Sequence, residues 1–430
     1  MKARLALAVG VLLLFAAVAP AATIRVDVNG QGDYETIQEG IDASAGGDTV
    51  LVAPGIYSGP LNRELDFDGR IISLVAEDDR DATIIDCESA GRGFVFTHGE
   101  TQEALVQGFT VRNGQAYEGG AVYAVGASPL FYKCAFEDNN GTFGGAFYIG
   151  HQSASMVEDC TFTDNAAVKY GGAAYTYISR PYIVDCHFTG NTAGISGGAI
   201  SCSTWTVARI TSNRFVGNSA DDGGCIYIGT LFEEYEDAEP SSITFNWFED
   251  NTALRGGALF LQSYSWVGCS WGTFLRNSAQ QGGAIFVRTN AEGEFTIQNC
   301  TLAYNSADTG GGICSSGSSS YSELLVTQSI IAFSTTGSSL QRIDFSPVTM
   351  DLSLDFGNEG GDTMYGTRVL NEDPLFCDVF SDDYNLCENS PCRSVNNPWG
   401  FLMGSFRQIC GECESPVRET SWGSIKAMFR

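Results

Sequence analysis

Histidine is almost missing from this chain. Three occur in 430 residues, His98, His151 and His187. They lie far apart, so neither a histidine-based triad nor a histidine metal cluster is indicated, and His187, next to Cys186, is expected to point outward. Lysine is scarce too: only Lys133 and Lys169 fall in the repetitive middle of the chain. The formal charge is −28, and it becomes −30 once Lys2 and Arg4 are removed with the leader. Such a surface excludes nucleic-acid binding through phosphate contacts. It also repels polyanionic glycans unless cations bridge them. After the leader no apolar run is long enough to span a bilayer as a helix. Proline is modest, at 11 residues. Between the short apolar runs of the middle region there is no room for a crossover helix of ten or more residues, which excludes βαβ units.

What is abundant is glycine, 51 residues, and one phrase that recurs. It runs "CAFEDNNGTFGGAFY" from Cys134, "CTFTDNAAVKYGGAAY" from Cys160 and "CHFTGNTAGISGGAIS" from Cys186. It continues from Asn213, Asn246, Gly272 and Cys300. The shared asparagine stands at 113, 139, 165, 191, 218, 251, 277 and 305, in steps of 26, 26, 26, 27, 33, 26 and 28 residues. A fixed period of this size is the mark of a stacked, one-dimensional architecture.

Each period carries a phenylalanine three residues before the asparagine (Phe136, Phe162, Phe188, Phe215, Phe248, Phe274), with Cys or another small or polar residue two before that. Spacing by two is strand spacing, with both residues on one face. A Gly-Gly pair introduces a second apolar run, and a third run (Val157, Ile183, Ile210, Ile243, Ile297) precedes the next repeat. About three short strands per period, stacked roughly 4.8 Å apart, predict an all-β fold, a right-handed parallel β-helix of about ten coils. Identical residues then form ladders. Phenylalanine fills the core. Asparagine, at a turn, passes amide hydrogen bonds to backbone groups the turn leaves unpaired. The glycine pair fits a corner that needs positive φ and close backbone approach.

The paired "GGA[IFVL]" and "FxxN" phrases resemble the repeats of the polymorphic outer-membrane protein family, whose members are surface adhesins with β-helical passenger regions. The wider shape is similar to the pectate-lyase-like β-helix superfamily. The resemblance covers about half the chain and implies a fold more directly than an activity.

In chain order, residues 1–21 read as a secretory signal peptide: Lys2 and Arg4, an apolar run from Leu5 to Val18, then Ala19-Pro20-Ala21. Residues 22–60 form an N-terminal cap and first coil, with Asp33 as N-cap of a short helix whose stripe is Tyr34, Ile37 and Ile41 and which ends at Gly46-Gly47. "TVLVAPGIYSG" from Thr49 then supplies the first strand. "GDYETIQEGIDA" also resembles the opening of pectinesterases and other β-helix proteins, where it is structural. Residues 61–112 are irregular coils and 113–340 the regular ones. An acidic insertion at Leu231–Ser242 accounts for the 33-residue step; it reads as a surface loop or as a partner or cation contact. Residues 341–420 hold terminal coils and a Cys-rich cap, and 421–430 a tail that is either frayed or a docking tag. Adhesins of the resembled family end in a membrane β-barrel of alternating strands. The roughly 115 residues after Ser315 are Cys-rich and turn-rich instead, so a different export route is expected.

The fourteen cysteines divide in two. Cys134, Cys160, Cys186 and Cys300 share one ladder position, where stacked Cβ vectors are poor disulfide geometry; buried thiols are expected. Cys377, Cys387, Cys392, Cys410 and Cys413 suit disulfides in an exported chain, with zinc as the other reading and one cysteine left over. Gly194-Ile195-Ser196-Gly197-Gly198 matches a G-x-S-x-G elbow formally. Other repeats hold Phe143, Tyr170, Asp222, Arg255 and Gln281 at the serine position, so a variable turn is expected. Asp138 and Asp164 stack in consecutive coils and either recruit calcium or stay splayed and solvated.

No catalytic phrase of the β-helix lyases, hydrolases or pectinesterases is present, and the coils are uniform where catalytic residues would interrupt them. The sequence therefore points to an exported, surface-associated or secreted monomer that acts in adhesion, with a polysaccharide or a cell-surface protein as partner and peripheral membrane association allowed. No catalytic, cofactor or metal-binding residues are assigned. The second reading is a carbohydrate-active enzyme with its residues in the irregular coils: Asp66, Asp68, Asp78, Asp79 and Arg80.

Overall fold

The computed structural model describes residues 21–229, 240–262, 266–289, 293–317, 322–344, 346–362, 366, 368–406 and 408–413. The leader, all but the last few residues of the acidic insertion, and the tail at 421–430 lie outside the described residues. Among the described residues, parallel strands stack into sheets of 13, 13, 11 and 7 strands, and every strand pairs with its counterpart one coil away. The chain is thus a parallel β-solenoid of about twelve turns, somewhat more than the ten that the repeat count suggests. The additional turns come from the irregular coils at the two ends, outside the run of the repeated phrase.

The repeat holds four strands where three are expected. The stretch between the asparagine and the glycine pair, such as Asn140–Phe143 and Ala166–Tyr170, is not turn but a fourth sheet running to Ser306–Thr309. Consequently Phe143, Tyr170, Ser196, Asp222, Arg255 and Gln281 occupy one position in that sheet, each paired with the next. The variable site is a strand position, not a free turn.

The ladders form as anticipated. Phe136, Phe162, Phe188, Phe215, Phe248 and Phe274 stand in register and fully buried. Neighbouring ring centroids are 4.6–5.0 Å apart, which is the coil rise itself. From Asn139 to Asn305 each asparagine is buried with its amide bonded; Asn113 is not part of this ladder, because the register puts it level with Asp138 and Gly114 at the ladder position, and its Nδ2 donates to Asp86 (3.0 Å) instead. Asn165 Nδ2 donates to Phe136 O (2.9 Å) and Asn191 Oδ1 (2.9 Å), while Asn165 Oδ1 accepts from Asn139 N (3.1 Å) and Asn139 Nδ2 (3.0 Å). The chain of amides runs unbroken to Asn305. The first glycine of each pair has φ near +65°, as at Gly197, Gly223 and Gly256. The second has no space for a side chain: a Cβ on Gly172 would lie 2.0 Å from Gly198 O.

The cysteine ladder acts like a second, weaker amide ladder. Cys160 Sγ donates to Glu158 O (3.3 Å) and accepts from Cys134 N (3.4 Å). In later coils Asn213 and Asn246 take over the accepting role: Asn213 Oδ1 accepts from Cys186 N (2.8 Å), and Asn246 Oδ1 from Asn213 N (2.9 Å) and Nδ2 (3.0 Å). All ten cysteines outside the disulfides are buried, and burial pushes the thiols of Cys87, Cys202 and Cys314 up to about 12.

The N-terminal end departs from expectation in two ways. The first strand is Thr23–Val26, ahead of the helix, and pairs in parallel with Thr49–Val52. The helix is Ile37–Ala43, with Thr36 at its N-cap and Ser44 at its C-cap. Asp33 cannot cap it because its carboxylate accepts from Arg25 N (2.8 Å), and Tyr34 bridges to Val26 instead of joining the helical stripe. Ile37 and Ile41 do face the core.

Replacing Asn191 by Ala takes the Asn191 Oδ1 acceptor from Asn165 N, leaves Asn165 Nδ2 with Phe136 O alone, and removes the side-chain donor to Phe162 O. Each orphaned buried group costs about 1–3 kcal/mol, so Asn191→Ala lowers stability by roughly 2–5 kcal/mol, read as a fall in the urea midpoint. His187→Ala on the exposed face of the same coil shifts it by less than about 0.5 kcal/mol.

Candidate functional site

The 13-stranded sheet that carries the phenylalanine ladder is the second sheet of the coil, and its outer face is where the uniform coil is modified. Its strands alternate a core residue with outward ones, so the positions equivalent to Thr161, His187 and Arg214 line up along the outside. At both ends of this row, outward residues are nonetheless buried. Thr110 and Ala135 lie under a loop from the irregular coils, residues 77–82. Arg80 holds that loop down: its carbonyl accepts from Thr110 Oγ1 (2.8 Å), and its Nη1 donates to Asp159 O (3.2 Å) and Cys134 O (3.4 Å).

At the far end Thr273, Leu275, Thr301, Ala303 and Ile330 lie under the Cys-rich segment. The Cys-rich segment folds back along the flank of the solenoid. It is built on an antiparallel pair, Phe376–Asp378 with Asp383–Leu386, and two disulfides, Cys377–Cys410 and Cys387–Cys413. Cys392 is the odd cysteine and stays a buried thiol. Tyr384 packs against Leu275 and Ala303, Met403 against Ile330, and Ser405 Oγ pairs with Thr273 Oγ1 (2.8 Å). Arg276 fastens the join, with Nη1 on Asp382 (2.8 Å) and Nη2 on Glu249.

Between these walls the sheet is open over three coils. The floor presents Thr161, Thr163, His187, Thr189 and Arg214. Arg214 is held by Glu249 (2.7 Å) over the Trp247 ring (5.6 Å). One border is a row of turn residues with φ between 50° and 58°: Lys133, Asp159, Asp185, Ser212, Phe245 and Trp271. The opposite border carries Asp138, Asp164 and Gly190, also at positive φ. Asp and Asn tolerate that left-handed conformation better than most residues, and this accounts for the stacked aspartates. Among the described residues Asp138 and Asp164 do not gather with a third potential metal ligand.

Under the 77–82 wall lies a cavity of about 210 Å³ lined by Asp78, Asp79, Arg80, Gln107, Lys133 and Asp159, with Ala76 and Gly108. Three of the five residues singled out in the irregular coils therefore meet. Asp66 and Asp68 do not join them. Asp66 Oδ1 lies 3.5 Å from His98 Nδ1, and Asp68 pairs with Arg70 at 3.8 Å. Asp66, His98 and Glu100 make a cluster of potential ligand atoms within 4.8 Å of one another, which sequence separation had hidden. Its carboxylates are engaged in closing turns: Glu100 accepts from Gly69 N (2.9 Å) and His98 N (3.0 Å), and Asp66 from Asp68 N (2.7 Å). The other such cluster among the described residues is Cys377, Cys387 and Cys410, whose sulfurs are committed to the disulfides. Ser196 is buried and paired with Ser201 Oγ (3.3 Å), so the elbow reading fails. His187 is exposed, as expected. Neither His187 nor Lys133 is hydrogen-bonded to a carboxylate among the described residues; the Lys133 ammonium sits over the Tyr132 ring at 5.0 Å.

The trough itself was not foreseen. Its signal lay in the outward strand positions, which turn from Thr163, His187, Thr189 and Arg214 to Leu275, Ala303, Ile330 and Ala332. Apolar residues at outward positions require a cover.

A family described as "Right handed beta helix region" matches residues 72–232, which gives the coil its hand. Among solved structures, a pectin methylesterase from carrot is similar at 13% identity, over 83% of this chain and 90% of that chain, with a TM-score of 0.32. A pectate lyase, Pel9A, is similar at 12% identity, over 91% of this chain and 98% of that chain, with a TM-score of 0.36. No curated protein sequence matches the chain.

Two outcomes are expected. The ten buried thiols stay silent to an aromatic disulfide reagent in the native protein and react on denaturation without reductant. Cys377→Ser with Cys410→Ser opens a 33-residue separation and destabilises the flank segment by roughly 3–4 kcal/mol; Trp247 then becomes solvent-exposed, read as a red shift of fluorescence well before the solenoid melts.

Proposed function

We propose that the chain is an exported glycan-binding β-helix that holds an extended polysaccharide in the trough on its second sheet without turning it over. The observation that carries this reading is the open stretch of sheet between two walls, lined with hydroxyl, imidazole and guanidinium groups spaced by the coil rise. A repeating polymer laid along the solenoid meets a repeating row of donors and acceptors. The resemblance of the repeats to those of surface adhesins and the leader-like start support a place outside the cell. The cavity beside Asp78, Asp79 and Lys133 is the observation on which the enzymatic reading would rest.

The test is to incubate purified protein with a panel of polysaccharides, with and without calcium. Pull-down is recorded beside released reducing ends, methanol and unsaturated products. The expected result is retention on at least one polymer with no product. Turnover would overturn the reading and direct attention to the cavity; the absence of both signals would remove glycan binding altogether.

A further inference from the structure

Two disulfides can staple a segment at two separate places. In the flank segment they meet instead. Cys410, bonded to Cys377, also lies 3.6 Å by its Sγ from Cys387 Sγ and 3.8 Å from Cys413 Sγ. Cys377, Cys387 and Cys410 keep their sulfurs within 4.8 Å of one another, and Cys413 is the bonded partner of Cys387. All four sulfurs therefore share one cluster. Backbone contacts build it independently of the sulfur bonds. Leu386 bridges in parallel to Ile409, and Glu388 N donates to Gly411 O (3.0 Å), which sets Cys410 beside Cys387. The Asn389 side chain clamps the following turn: its Nδ2 donates to Cys413 O (2.8 Å), and its Oδ1 accepts from Cys413 N (3.0 Å). Cys377 lies on one strand of the antiparallel pair and Cys387 directly follows the other. The sequence offers a single close C-x-x-C pair, Cys410-Gly411-Glu412-Cys413; the fold brings the second pair to it. Zinc held by four thiolates at about 2.3 Å has its sulfurs about 3.8 Å apart, at the corners of a tetrahedron. That is the separation found between the two disulfides. Cys387 is buried and the other three are half-buried, so a reductant and an ion can reach the cluster. Cys392 belongs instead to the apolar cluster of Ile330 and Met403.

We infer that Cys377, Cys387, Cys410 and Cys413 form a tetrathiolate zinc site when reduced, and that the same four sulfurs close as two disulfides when oxidised. The flank wall is then held shut in either state. The chemistry balances. Each disulfide takes two electrons and two protons from a reductant, a dithiol or a phosphine, and the two together yield four thiols. Zn²⁺ then displaces the four protons, and four Zn–S bonds stand where two S–S bonds stood. In the other direction a disulfide oxidant removes four electrons, the two S–S bonds form, and the ion leaves. A structural zinc contributes folding energy directly, so it replaces the cross-links as the element that keeps Tyr384 and Met403 on the outer face of the sheet. An exported chain, as proposed above, is made in a reducing compartment and oxidised outside it; zinc holds the wall in the interval. The metal site itself does not depend on the glycan reading.

The test reduces the full chain under nitrogen with a water-soluble phosphine, which leaves as its oxide with oxygen from water, and titrates it with Co²⁺ as a spectroscopic probe and then with Zn²⁺. The expected result is one Co²⁺ per chain, with a thiolate-to-metal charge-transfer band, the intense visible bands of a tetrahedral ion, and release of about four protons. Zinc displaces the cobalt, and Trp247 fluorescence, red-shifted in the reduced metal-free chain, returns to its native position. Cys410→Ser weakens cobalt binding by at least the roughly 10- to 100-fold that loss of an outer-shell partner costs, whereas Cys392→Ser leaves spectrum and stoichiometry unchanged. Both variants are compared in the reduced chain, where the substitution removes no cross-link. No cobalt binding, or a weak octahedral spectrum without the charge-transfer band, overturns the site. Undiminished affinity in Cys410→Ser, or a proton count of two, overturns the four-sulfur assignment. Metal binding without recovery of the Trp247 signal overturns the role of the ion in holding the wall.

Discussion

The buried amide ladder is the constraint on which the rest of the solenoid depends. A coil of short strands leaves turn backbone groups pointing inward, and an unpaired polar group in the core is expensive. Each asparagine closes this account in both directions, donating to the coil before and the coil after. The bond lengths hold only if the coils stack in register, so the ladder fixes the register of the phenylalanines beside it. It also forces the tight turn in which the preceding residue is left-handed. Glycines at the next corner, aspartates at the turns and thiols at the Cys position are consequences of the same stacking.

Much of this was legible in the sequence because repetition reports the environment several times over. One asparagine says little, but seven in register say that a turn amide is buried. The fourth strand was missed because its residues vary outward while only a small inward alanine is constant, as at Ala167 and Ala193, and a small residue between two turns reads as turn. The helix start was misplaced because Asp33 satisfies a strand amide on Arg25 rather than a helix, a partner eight residues away that no local capping rule detects. The extra turns lie at the two ends, where the repeated phrase fades.

The site was less legible for a different reason. A trough is defined by what does not cover it, and its walls come from segments distant in sequence. Arg80 reaches the carbonyls of Cys134 and Asp159, and Ser405 reaches Thr273. The cluster of Asp78, Asp79 and Arg80 was visible as a polar run in irregular coils, but its meeting with Lys133 and Asp159 is a product of coil stacking. The Cys-rich segment read as a terminal staple; its disulfides formed as anticipated, and its use as a wall depends on the apolar outward positions of four later coils.

The central claim is that a glycan lies on the open face of the second sheet. Thr189 projects outward in the middle of that face and is exposed, and a tryptophan is well tolerated on an exposed strand. Calorimetric titration of Thr189→Trp with a polysaccharide that the native chain retains is the most direct measurement. The account predicts an unchanged melting transition and binding lost or weakened by at least tenfold. Undiminished affinity in a folded Thr189→Trp chain would contradict it and move the binding surface to another face of the solenoid.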